Sequence, residues 1–86
     1  MFEVILSPEA QQFFASAAHP LARKLARCLS RLETDPRGGN TVKRLKGKLR
    51  NYYRYRVGNW RVVYRIDDAI NQVIVVAIAH RSDIYE

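Results

Sequence analysis

The stretch Tyr52-Tyr53-Arg54-Tyr55-Arg56-Val57-Gly58-Asn59-Trp60-Arg61-Val62-Val63-Tyr64-Arg65-Ile66 decides how this chain folds. Two runs rich in β-branched and aromatic residues flank Gly58-Asn59, and a glycine-first dipeptide suits a two-residue hairpin turn. With 58 and 59 as the loop, Val57 lies opposite Trp60, Arg56 opposite Arg61, Tyr55 opposite Val62 and Arg54 opposite Val63. Strand side chains alternate, so this register sorts the ribbon into two faces. Tyr53, Tyr55, Val57, Trp60, Val62, Tyr64 and Ile66 share one, which reads as core. Tyr52, Arg54, Arg56, Arg61, Val63 and Arg65 share the other. Like charges set opposite each other weaken a sheet, so the arginine face gives folding no benefit. It points to an anionic ligand; the alternative is a set of arginines splayed into solvent and screened by salt.

The charge balance extends that reading. The net charge is +7, and ten of the fifteen lysines and arginines fall between Asp35 and Asp67, where no acidic residue occurs. Such a block favours nucleic acid or another polyanion. No amphipathic basic helix presents it, so an acidic lipid surface is the weaker fit. Eighty-six residues, 48% of them apolar, make one globular domain over 1–86 with a modest core. A single cysteine, Cys28, excludes an internal disulfide, and with two isolated histidines leaves no zinc site. Neither a signal peptide nor a membrane span is expected, and a reducing cytoplasm fits.

Outward from the hairpin, Phe2 to Leu6 reads as a short first strand. Ser7-Pro8 then offers a cap and a first-turn proline for a helix with Ala10, Phe13, Phe14 and Ala17 as its apolar stripe. His19-Pro20 breaks it and opens a second helix, where Leu21, Leu25, Cys28, Leu29 and Leu32 recur at helical spacing. Asp35 to Asn40 is loop by composition. Lys43 to Arg50 sets Leu45 and Leu49 among cations, as a short strand or an irregular approach to the hairpin. Val73 to Ala79 is apolar on both faces, the pattern of a central strand. The expected architecture is α+β, ordered β-α-α-β-β-β. A helical hairpin covers one face of a small antiparallel sheet, and the arginines occupy the other. Cys28 reads as core filler, and His80 as a structural histidine or, less simply, a site residue beside Arg81.

Three segments together resemble the RelE/ParE toxin superfamily of type II toxin–antitoxin systems. They are Leu45-Lys46-Gly47, the hairpin Tyr53 to Tyr64, and Ala79-His80-Arg81-Ser82-Asp83-Ile84-Tyr85. The resemblance implies the RelE-like, microbial ribonuclease-like fold and, for RelE-type members, a metal-free, cofactor-free endoribonuclease. Such an enzyme cuts messenger RNA in the ribosomal A site, inhibits translation, and is held inactive by a cognate acidic antitoxin. By position, Arg61 resembles the arginine that steadies the scissile phosphate, Arg81 the late arginine that assists the leaving group, and Tyr85 the terminal tyrosine that orients substrate. Arg54 and Arg56 stand where well-known RelE enzymes carry two lysines. An arginine cannot give up its proton at working pH, so proton transfer would fall to His80, Tyr85 or weaker catalysis.

Metal-free RNA cleavage uses the neighbouring 2′-hydroxyl as nucleophile. The protein must then align it, neutralise charge growing on the phosphate, and move protons. Clustered guanidiniums suit the second task. The other cations, Lys43, Arg44, Lys46, Lys48, Arg50 and Arg65, are expected to hold ribosomal RNA backbone without reading sequence. ParE-like poisoning of DNA gyrase is the alternative on the same fold, and a non-catalytic nucleic-acid-binding member is a second.

Overall fold

The computed structural model describes residues 1–83. In chain order it holds β1 (Glu3–Leu6), α1 (Pro8–Ser16), α2 (His19–Thr34), β2 (Val42–Arg44), β3 (Tyr53–Val57), β4 (Trp60–Asp67) and β5 (Gln72–His80). Short 3-10 turns occupy Gly47–Leu49 and Arg81–Asp83. The α+β layering stands: two helices cover one face of a single sheet ordered β1-β5-β4-β3-β2. Two details differ from the sequence expectation. Val42–Arg44 adds a fifth strand at one edge, and β1 runs parallel to β5, so the sheet is mixed. The cause of the second is the α1–α2 excursion, which carries the chain across the sheet and leaves β1 beside the last strand.

The hairpin register is the one the glycine-first turn dictates, with Val57 opposite Trp60 and Arg56 opposite Arg61. Gly58 holds φ +59, a conformation costly to any residue with a Cβ. Helix α1 starts at Ser7, whose Oγ accepts from the Ala10 amide at 3.1 Å. The same hydroxyl donates to the Val76 carbonyl at 3.0 Å. That second bond reaches a β-bulge. On β5, Ala77 pairs with Val63 but Val75 pairs with Tyr64, leaving Val76 as the extra residue. A bulge reverses the inward–outward phase of the strand beyond it. Val73 and Val75 point to the helices before it; Ile78, not Ala77, does so after it.

The core lies between helices and sheet. Leu25, Cys28 and Leu32 of α2 meet Val57, Val62, Tyr64, Val73 and Val75, with Ala10, Phe13 and Phe14 contributed by α1. Trp60 packs on Phe13 with ring centroids 5.0 Å apart. The loop after α2 is tied down twice. The buried Tyr64 hydroxyl donates to the Pro36 carbonyl at 2.5 Å, and Arg37 forks onto Asp68 at 2.7 and 3.2 Å. Its hydrogen bond to Arg37 holds the Asp68 carboxyl below the usual range, but both groups are solvent-exposed and the pair adds little stability.

Burial pushes the Cys28 thiol up to about 12. A thiol raised in the folded state stabilises the fold while neutral. That contribution is complete below the unfolded value of about 8.5 and is lost as pH rises through the folded one. Native protein at mildly alkaline pH should therefore resist iodoacetamide while the urea-unfolded chain is alkylated, as read by mass spectrometry. Rapid labelling of the native state would show the thiol to be accessible.

Candidate nucleic-acid interface

Strands β2, β3 and β4 set their second-face side chains in rows. Lys43 pairs with Arg54, which pairs with Val63; in the next row Arg56 pairs with Arg61. The Arg56 amide donates to the Thr41 carbonyl at 2.9 Å, which extends that row to the loop before β2. Asn40, Thr41, Val42, Lys43, Arg54, Arg56 and Arg61 line a groove of about 370 Å³. None of these lining residues is acidic. Beside it, β5 presents Ala77 opposite Val63 and Ala79 opposite Arg61, so this strand sets methyl groups next to the guanidiniums. Buried Leu45 and Val63 belong to this second face and stand outside the helix-side core.

Arg61 is held by its own turn. Its Nη1 donates to the carbonyls of Gly58 and Trp60, each at 3.0 Å. Two short bonds to backbone restrict a long side chain before any ligand arrives, which lowers the ordering cost of binding. Guanidiniums fixed in this way offer permanent charge and a donor fork that matches phosphate.

The other expected site residues divide. The Arg81 amide donates to the Asn59 carbonyl at 2.8 Å, one step past the Trp60–His80 pair. Arg81 itself opens the 3-10 turn after β5 and is exposed, just beyond the strand that sets Ala79 on the Arg61 side of the sheet. Arg65 is exposed on that side, opposite Ile74 and beyond Val63, and does not line the groove. Lys46, Lys48 and Arg50 are exposed around the 3-10 turn after β2. Tyr85 lies outside the described residues.

One expectation is corrected, and one expected cation lies apart from the groove. His80 pairs with Trp60 on the helix side, its ring edge-on to the indole at 5.3 Å and its Nδ1 2.9 Å from the Ser82 hydroxyl. The bulge at Val76 turns it away from the groove, so it is not placed to handle a proton there. Arg44 pairs with Tyr53, one residue out of phase with Lys43, and its Nε donates to the Arg50 carbonyl at 3.0 Å. It braces the turn after β2 and does not join the cation face. The sequence reading also missed Asn40, Thr41 and Val42 as groove-lining residues. Nothing in the sequence marked them, since a three-residue strand is too short to show alternation.

Solved structures similar in fold to this chain include toxins and toxin–antitoxin complexes. The RelE chain of an archaeal RelE–RelB complex from Pyrococcus horikoshii is similar with a TM-score of 0.81 at 20% identity, over 96% of this chain and 98% of that one. The RelBE2 toxin–antitoxin complex from Mycobacterium tuberculosis gives 0.79 at 22% identity, over 93% and 98%. Isolated Escherichia coli RelE gives 0.79 at 17% identity, over 93% and 84%. In sequence, Toxin RelG of Mycobacterium tuberculosis is 40% identical over 43 residues; the chain spans about half the length of that curated relative. The model of the ParE toxin family of type II toxin–antitoxin systems matches residues 4–85. The chain belongs to that family.

Proposed function

We propose that this toxin is an endoribonuclease that cuts messenger RNA held on the ribosome. The observation that carries the reading is the groove, where three arginines and a lysine from three adjacent strands converge beside Ala77 and Ala79 of β5. A phosphodiester there would meet guanidiniums from two sides. Charge that grows on the phosphate as the 2′-oxygen attacks is then stabilised by donors already in place. A site rich in charge and poor in proton carriers is a weak catalyst for free RNA. It benefits most from a substrate whose 2′-hydroxyl is already aligned, and alignment is what a ribosome-bound message supplies. Arg81 and Tyr85 are assigned to the same site, at the leaving group and the substrate base.

The partner proposed is an antitoxin of acidic character; the similar solved structures include a RelE–RelB complex from Pyrococcus horikoshii and the intact RelBE toxin–antitoxin complex from Escherichia coli. A chain of net charge +7 favours such a partner electrostatically. The exposed cations at Lys46, Lys48 and Arg50 are assigned to ribosomal RNA backbone.

The match to the ParE family model favours a second reading, a toxin that poisons DNA gyrase and cuts no RNA. Induction in growing cells separates the two. A ribonuclease depletes full-length message and leaves fragments ending within codons at the ribosomal A site, with the chromosome intact. DNA breaks with an SOS response and intact message would establish the gyrase reading instead.

A further inference from the structure

The groove raises a question of proton supply. Breaking the bond from phosphorus to the 5′-oxygen releases an alkoxide, a strong base that must be protonated as it departs. The groove's three guanidiniums stay charged at any working pH and exchange no proton. Asn40, Thr41 and Val42 carry no titratable group. His80 faces the helices. Among the described residues that line the groove, Lys43 is the one whose side chain can hand over a proton and regain it from water. Its place suits the task. Lys43 pairs with Arg54 on the second face, at the rim formed by edge strand β2, one row from Arg56 and Arg61. A phosphate gripped by those guanidiniums would lie one row from Lys43, which carries its ammonium on a flexible four-carbon stem.

We propose that Lys43 is the general acid of the cleavage step, an assignment that rests on the ribonuclease reading above. The 2′-oxygen attacks phosphorus as its proton passes to water. The bond to the 5′-oxygen breaks, and that oxygen keeps the electron pair and takes a proton from the Lys43 ammonium. The products are a 2′,3′-cyclic phosphate and a free 5′-hydroxyl, and the neutral amine is reprotonated by solvent.

The test is single-turnover cleavage of ribosome-bound message by the wild type, Lys43→Arg and Lys43→Gln. Each is given natural RNA and RNA with sulfur in place of the scissile 5′-oxygen, a leaving group that needs no proton. On natural RNA both variants should lose on the order of 10²–10⁴-fold in rate. On the sulfur substrate both should cut at the wild-type rate. Full activity of Lys43→Arg on natural RNA would overturn the proposal, since it would show that charge alone is needed. An equal loss on both substrates would overturn it too, by assigning Lys43 to binding or structure. A wild type that cuts neither substrate overturns the ribonuclease reading itself, and this assignment with it.

Discussion

Replacing Arg61 by alanine is expected to slow single-turnover cleavage of ribosome-bound message by on the order of 10²–10³-fold, the usual loss when one preorganised donor to a developing oxyanion is removed. The fold should be little affected. Its bonds to the Gly58 and Trp60 carbonyls are to backbone of its own turn, and removing it relieves the Arg56–Arg61 repulsion. Arg61→Lys should recover part of the rate, because it keeps the charge and loses the fork. His80→Phe, which preserves a ring against Trp60, should keep the parental rate because His80 faces the helices. An Arg61→Ala variant with undiminished cleavage would remove that arginine from the site.

The second large effect is structural and sits in the same strand. Tyr64 is fully buried, its ring stacked on Tyr53 at 5.7 Å and its hydroxyl on the Pro36 carbonyl. Tyr64→Ala should cost about 3–5 kcal/mol, as for other large aromatic truncations in a core. For a domain whose whole stability is on the order of 5–15 kcal/mol, much of the chain would then be unfolded at modest urea. Tyr64→Phe isolates the hydroxyl. Leaving the acceptor on buried Pro36 without its donor should cost about 1–3 kcal/mol. It should also loosen the loop that delivers Asn40 and Thr41 to the groove. Urea midpoints for the two variants check both numbers, and an unchanged midpoint for Tyr64→Ala would contradict the core described here.

Much of the fold was legible in the chain because its signals are local. Gly58-Asn59 sets the hairpin register, and the register alone separates the aromatic face from the arginine face. Ser7-Pro8 and His19-Pro20 start the two helices within a residue of where they begin. Long-range geometry was less accessible. The parallel pairing of β1 depends on how the helical excursion returns, and no residue in Phe2 to Leu6 encodes it. Val73 to Ala79 is apolar throughout, so an inserted residue breaks no pattern that a reader could notice. The bulge at Val76 was therefore invisible, and with it the side on which His80 falls. The same difficulty split Lys43 from Arg44. They read as one basic run, yet adjacent strand residues face opposite ways.

Where RNA meets this molecule is measured most directly by nuclear magnetic resonance. Isotope-labelled protein would be titrated with a 2′-O-methylated RNA trinucleotide, which offers phosphates and cannot be cut. Amide shifts are predicted to move at residues 40–43, 54–56 and 61, with binding that weakens steeply as salt is added. Shifts confined to α1 and α2, with those groove amides unmoved, would contradict it.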